Sequence, residues 1–353
     1  MGSLHSPAKT HIDLETMAEA AGFTYPPTPV AWLTRDLLVF ANSIGIEKDE
    51  LQFLYELHPD FAAFPTYPII LPFKRTDQEV IDFYKWSAGG PAIPGVPKLD
   101  PRRIVDGQRH ITILKNIPPT SAGKEFELRA KVVGVYDKGK AGTVTEVESE
   151  LVEKSSGEVY TRIVSSSFAV GQGGWGGRAG PKTVNYPPPE GKRPDASFSQ
   201  ATSPSQALLY RINGDYNPLH ADPTIGTKMG FPGAILHGLC TWNIAAHAVL
   251  KTFGASEAGR LKSFQARFAS PVMPGDKLIV DMWITGNKEA DGSEEVIFVT
   301  RVDGGKVVLS NGRALLSKVE KSVCTLLDMP KIAGGGEGRT STESSGIRVL
   351  FFL

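Results

Sequence analysis

The chain has two cysteines in 353 residues, Cys240 and Cys324. That excludes a disulfide framework and a four-thiolate metal site. Net charge is also missing, because 38 Lys and Arg are balanced by 38 Asp and Glu. No overall field draws the chain to nucleic acid or to a membrane surface, so an anionic ligand must be held by a few local cations. No apolar run reaches the roughly 18 residues of a membrane span. Residues Met1–Asp13 are polar, with His and Pro, and do not read as a secretory signal. What remains is globular material, 41% hydrophobic and 22% charged. The length suits two ordinary domains or one double-sized one. Cys240 falls in an apolar helical run and reads as a small buried hydrophobe, since a nucleophile there would need a base.

Residues 10–60 carry helical spacing at Leu37, Leu38, Phe40, Ala41 and Ile44, then Leu51, Leu54 and Leu57, with Gly45 interrupting. A Gly/Pro-rich loop covers 88–101. Strand patterns follow at Ile111–Leu114, Phe126–Val135, Thr143–Val152 and Val159–Val170, with turns at Lys138-Gly139-Lys140 and Ser155-Ser156-Gly157. Residues 171–204 are dense in Gly and Pro and read as a linker. Helical segments are then expected at Asn217–Met229 and Gly238–Phe253, and strands at Gln265–Ala269, Leu278–Thr285, Glu295–Val302 and Lys306–Ser317. Residues 330–353 read as disordered.

The two halves echo one another. Val105-Asp106-Gly107 matches Leu236-His237-Gly238, and the Pro/Gly segment Ile117–Lys124 matches Pro271–Asp276. The simplest account is a helix-plus-antiparallel-sheet unit used twice, an α+β arrangement in which fusion covers the sheet edge that a single unit leaves open. The expected boundaries are 1–180 for the first half with its helical leader, 181–204 for the linker, 205–325 for the second half and 326–353 for the tail.

The densest chemistry lies at 210–220, Tyr-Arg-Ile-Asn-Gly-Asp-Tyr-Asn-Pro-Leu-His. Asn217-Pro218 is a helix start, with Asn as cap and Pro at the first position, where no N–H is required. Asp215 then lies just before the helix and His220 in its first turn. A carboxylate and an imidazole sharing one water can move protons near neutral pH. An Asp and a His beside a helix start are also commonly a cap and a polar surface residue.

The full string Gly-Asp-x-Asn-Pro-Leu-His resembles the signature of the type 2 enoyl-CoA hydratases, the MaoC-like hydratases and dehydratases, which include the hydratase domain of peroxisomal multifunctional enzyme type 2. Six places after the His that family has Ala or Ser, and this chain has Gly226. The segment Asp60-Phe-Ala-Ala-Phe-Pro-Thr-Tyr, the run Gly173-Gly-Trp-Gly-Gly and Ile235-Leu-His-Gly-Leu-Cys extend the resemblance over roughly 60–320. It implies a double hot dog, two long-helix units each wrapped by a curved antiparallel sheet. It also implies hydration of trans-2-enoyl-CoA to (3R)-3-hydroxyacyl-CoA and the reverse dehydration.

By the same resemblance, Asp215 and His220 hold the water, Asn217 orients it, and the N–H of Gly238 at a helix start meets the thioester carbonyl. Which of Asp215 and His220 is acid and which is base stays open. Substrate contacts carry over to Asp106 and Gly107 (where the family has His-Gly), Lys138, Tyr216, Pro218, Leu219 and Phe268. Lys138 is a local cation for the CoA phosphates or a solvated turn lysine, and Phe268 lines the substrate or is a core strand aromatic. His237 is a second acid or base, or packs and caps, and His247 reads as structural. The first half has no Asp-x-Asn-Pro-x-His, so one active site per chain is expected, with the first half's helix displaced to open an acyl tunnel. No metal or cofactor is implied. Acyl-CoA is the expected partner, with no nucleic acid and no membrane span, and a homodimer is left open. The implied location is the peroxisome, with the cytosol as alternative, because Phe351-Phe352-Leu353 departs from a Ser-Lys-Leu tripeptide. Two further functions fit: a dehydratase for a specialised acyl or polyketide thioester, which Asp106 favours, and a hot-dog thioesterase, which would not need Asn-Pro-Leu-His.

Overall fold

The computed structural model describes residues 20–87 and 91–318. Met1–Asp13, Cys324 and the tail after 326 lie outside them. Ten strands form one antiparallel sheet: β1 (Thr28–Val30), β2 (Ile104–Ile113), β3 (Phe126–Asp137), β4 (Gly142–Glu153), β5 (Val159–Val170), β6 (Ala196–Ala201), β7 (Leu261–Phe268), β8 (Lys277–Lys288), β9 (Glu294–Val302) and β10 (Val307–Leu316). Their order is β1-β3-β4-β5-β2-β7-β10-β9-β8-β6. Read from its two outer edges inward, the sheet runs β1-β3-β4-β5-β2 on one side and β6-β8-β9-β10-β7 on the other, the same path twice. The copies meet where β2 pairs antiparallel with β7, His110 opposite Gln265. This is a double hot dog. Each copy is closed on its inner side by the other, and the outermost strands, β1 and β6, are short, which limits the open edge.

The strands arise where β-branched and aromatic residues alternate. β4 and β5 are joined by a turn at Gly157, whose φ of 71° suits glycine. β2 begins well before the expected Ile111 because its first half is polar. Asp106 faces β5 alone, while Gln108, Arg109 and His110 lie in mid-sheet between β5 and β7, and their side chains are paired: Arg109 with Asp106 at 2.6 Å, Asn311 Nδ2 donating to Gln108 at 3.3 Å, and His110 Nε2 with Ser263 Oγ at 2.8 Å. Residues 196–201, read as linker, form β6 and pair with β8. Alternation of Ala, Ser and Phe over six residues is too weak a signal beside so much proline.

Helix α1 (Thr34–Ser43) lies in the leader, and α2 (Gln206–Tyr210) and α3 (Pro223–Lys228) flank the motif. Helix α4 (Gly238–Gly254) is the central element. It is apolar almost all round because it is enclosed; Trp242, Ile244, Ala245, Ala246, Ala248, Val249 and Leu250 are each 0% exposed. Full burial of one such large aliphatic side chain contributes about 1.5–3 kcal/mol. Trp242 meets Phe264 of β7 edge-to-face, with centroids 4.6 Å apart. Cys240 is a buried free thiol in this helix, and burial pushes its pKa up.

The helix ends on Ala255 and Ser256, both with positive φ (50° and 54°). The left-handed backbone costs about 1–2 kcal/mol per non-glycine residue. Ser256 Oγ donates to buried Glu50 at 2.6 Å, which helps hold that turn. No helix among the described residues is long and apolar enough to cross a membrane.

The echo between halves holds in one place and fails in another. Ile117–Lys124 and Pro271–Asp276 both join the second and third strands of their copies. Asp106-Gly107, however, lies inside a strand, whereas His237-Gly238 opens a helix. A two-residue likeness is too short to fix structural register.

Candidate active site

The chain from 214 to 220 is shaped by three local devices. Gly214 takes φ 119°, and a Cβ there would lie 2.8 Å from the backbone of Lys74, so only glycine fits. The N–H of Asn217 donates to Asp215 Oδ1 at 3.3 Å, and Asn217 Oδ1 accepts from Leu219 N at 3.1 Å. Pro218 opens a single 3-10 turn, Pro218–His220, rather than the start of one long helix. Asp222 then caps α3 separately, accepting from Thr224 N at 2.8 Å.

These devices bring Asp215, His220 and His237 together. One carboxylate oxygen and one nitrogen from each ring all lie within 4.8 Å of one another. His220 Nδ1 is 2.9 Å from the carbonyl oxygen of Ile235. A carbonyl only accepts, so the proton sits on Nδ1, and Nε2 is the nitrogen free to take another. His237 Nε2 donates to the main-chain oxygen of Asp215 at 3.1 Å, and its ring stacks on His220, centroids 3.7 Å apart and planes 26° apart. Three such groups could suggest a metal. The two rings lie in nearly parallel planes, and His237 Nε2 and His220 Nδ1 are already donors, which leaves His220 Nε2 and the Asp215 carboxylate to face a shared water.

Burial governs the electrostatics. It raises the pKa of Asp215, an effect the charge of His220 partly offsets; it lowers that of His220, which Asp215 partly offsets. Both groups move toward their neutral forms. Asp106 on β2 raises both pKa values, so its charge reaches the pair from the other half of the molecule. Gly107 beside it sits at a bulge in the β2–β5 pairing, where a Cβ would come 3.1 Å from the carbonyl oxygen of Ser166.

Gly238 is the first residue of α4, and the N–H groups of a helix's first turn have no acceptor within the helix. The ring of Phe268 packs over it, 3.1 Å from where a Cβ would be. Phe268 is the last residue of β7 and packs against the start of α4. Tyr216, Pro218 and Leu219 are half-buried in the motif loop, and the guanidinium of Arg211 lies over the Tyr216 ring at 5.1 Å.

Lys138 is not drawn to the pair. β3 is three strands from β2, ~14 Å at the usual spacing. The Lys138 ammonium donates to the Ala179 carbonyl and lies 5.3 Å from the centre of the Tyr136 ring. Its neighbour Asp137 explains the glycine run: the carboxylate accepts N–H bonds from Gly139, Gly174, Gly176 and Gly177 at 2.7–3.2 Å. Burial raises its pKa, but these donors outweigh that and hold it below the ordinary value.

Sequence patterns missed the walls of the site. Phe73, Ile81 and Phe83 close a slot of about 10 Å³ at Asp215, room for one water. A cavity of about 310 Å³ shares Ile81, Gly214 and Tyr216 with the slot and is lined further by Val39, Tyr67, Val80 and Ile212, with Arg35, Asp36 and Lys74. Apart from Ile212 and the motif's own Gly214 and Tyr216, these residues lie far from the motif in sequence and carry no spacing that ties them to it.

Comparison with known proteins agrees with this fold. A family model described as MaoC like domain matches residues 186–305, and one described as MFE-2 hydratase 2 N-terminal domain matches 31–171. A probable dehydratase from Ajellomyces capsulatus is 48% identical over 312 residues, covering 85% of this chain and 82% of the relative. The peroxisomal enoyl-CoA hydratase 2 of Arabidopsis thaliana is 32% identical, covering 81% and 90%. The crystal structure of a MaoC-like dehydratase from Phytophthora capsici superposes with a TM-score of 0.74 at 33% identity, covering 87% of this chain and 99% of that one. The fold is a double hot dog, and these relatives are hydratases and dehydratases, that is, hydro-lyases. The chain belongs to the MaoC-like hydratase and dehydratase family, and within it to the type 2 enoyl-CoA hydratases.

Proposed function

We propose that this protein adds water to trans-2-enoyl-CoA to give (3R)-3-hydroxyacyl-CoA, and runs the reverse dehydration when the hydroxy thioester is supplied. The observation that carries the assignment of roles is the tautomer of His220. With Nδ1 bonded to Ile235, Nε2 is the acceptor, so His220 takes a proton from water as its oxygen bonds to C3. Asp215, raised in pKa by burial, delivers a proton to C2. The imidazolium and carboxylate so formed return to their starting states by proton transfer through the next water. Asn217 holds the loop that carries both groups. The N–H of Gly238, backed by the helix dipole, polarises the thioester carbonyl as charge develops on it.

The acyl chain is assigned to the cavity beside Gly214 and Tyr216, and the CoA end to the side of β2 and the Lys138 hairpin. Asp106, in place of a family imidazole, favours a dehydratase with a specialised acyl thioester as the second reading. The location assigned is the peroxisome, as in the name of the Arabidopsis relative, and a homodimer is proposed with it. The test is the fall in enoyl-thioester absorbance on adding pure protein to short, medium and branched enoyl-CoAs. Turnover with a 3R product supports it, and no turnover across the set sinks it. Imaging against a peroxisomal marker tests the location, and light scattering tests the dimer.

A further inference from the structure

We propose that His237 is a positioning residue for the Asp215–His220 pair: one hydrogen bond from its ring holds the main chain of Asp215, and its face backs the imidazole of His220. The inference rests on the hydratase reading above and adds a residue that neither the acid nor the base role requires.

Its geometry excludes a direct part in proton transfer. His237 is 1% exposed. Its one N–H, on Nε2, is committed to the Asp215 carbonyl at 3.1 Å, and Nδ1 is buried without a hydrogen-bond partner among the described residues. The ring contacts two others, His220 stacked at 3.7 Å and Tyr210 tilted at 5.1 Å. The charged groups that reach these stacked rings are Asp215 from its own loop, Asp106 from β2 and Arg211 from the turn before the motif. Burial first, then the closeness of His220, hold His237 well below the ordinary imidazole value, so it stays neutral.

The backbone of His237 is held in turn by α4. Its carbonyl accepts from Cys240 N at 3.0 Å and Thr241 N at 3.3 Å. A firm helix start, the loop carrying Asp215, and the plane of His220 are thus joined through one side chain, which immediately precedes Gly238. Without it, Asp215 follows a glycine in an unusual conformation, and His220 is held at the ring only by Nδ1. Displacing a reacting group by about 1 Å costs on the order of 10² in rate.

Three variants separate the two contacts. His237→Gln keeps an N–H donor without a ring, His237→Phe keeps the flat face without a donor, and His237→Ala keeps neither. We expect His237→Ala to lower kcat by about ten- to a hundredfold with KM within about twofold, and Gln and Phe each to recover part of the loss. Removing the ring also lets water reach His220, so its depressed pKa rises and the acidic limb of the kcat profile moves to higher pH. Nitrogen-15 spectra of labelled histidine should show one Nδ1–H tautomer for His220 in the parent and a mixture in His237→Ala. An unchanged kcat and acidic limb in His237→Ala, at an unchanged melting temperature, overturns the proposal, as does a rise in KM alone. If the parent turns over no enoyl-CoA, the hydratase reading fails, and the spectra still decide: a single His220 tautomer in His237→Ala overturns the positioning role.

Discussion

The two halves of the sheet follow the same strand path, yet they treat the segment between their first and second strands differently. In the second half that segment holds the motif loop and the 17-residue α4, whose start meets the loop. In the first half the stretch between Val30 and Ile104 is broken into α1 and several shorter helices, and it walls the cavity beside Gly214 and Tyr216. The second copy therefore carries the cluster of Asp215, His220 and His237, and the helical segment of the first walls the cavity beside it. The β2–β7 pairing joins the two copies into one sheet, and the Asp-x-Asn-Pro-Leu-His loop belongs to the second.

The largest expected effect tests how firmly the leader and α4 are joined. Glu50, from the leader, accepts from His247 at 2.8 Å, Lys251 at 2.9 Å and Ser256 at 2.6 Å, all at the far end of α4. Burial works to raise its pKa, but these bonds hold it at about 2, below the ordinary 4.5. Glu50→Gln should cost about 3–5 kcal/mol in denaturant unfolding, as for one partner removed from a buried ion pair. Because the folded pKa is depressed, the parent's stabilisation is full above about pH 4.5 and is lost as pH falls toward 2. In Glu50→Gln that acid-side slope should flatten.

Next comes the asymmetry of the chemistry. Asp215→Asn and His220→Ala should each lower kcat by about 10² or more with little change in KM. The double variant should be far less impaired than the product of the two, since both act on one water. Near-full activity in His220→Ala with an unchanged fold would return His220 to a turn residue. Gly238→Ala should cost about tenfold in kcat/KM, below the 10²–10³ for outright loss of an oxyanion donor, because the new methyl must push Phe268 aside while the N–H remains.

The smallest effect probes the first half's reach into the site. Asp106→Asn removes a charge that raises both Asp215 and His220 and frees Arg109, whose charge lowers Asp215. Both limbs of the pH–rate profile should move to lower pH. Limbs that stay in place would show that Asp106 does not act on the pair.

Much of this was legible in order of residues. Asn217-Pro218 reads as a cap and first turn, and it is one, because both devices are local. The expected strands after residue 110 recur with shifted ends, since alternation survives wherever one face is buried. Only half of the internal repeat could be read, the Pro/Gly turns. The Asp-Gly and His-Gly pairs looked alike but occupy a strand and a helix start.

Composition and spacing by themselves determined an α+β sheet protein, no disulfide framework, and a capped turn at Asp-x-Asn-Pro-Leu-His, because these depend on neighbours along the chain. Tertiary structure alone decided that Phe73, Ile81 and Phe83 close over Asp215, that Asp106 reaches the pair across β2, and that His237 stacks on His220. Those contacts join residues far apart in sequence, and their strength comes from burial, which no stretch of sequence displays.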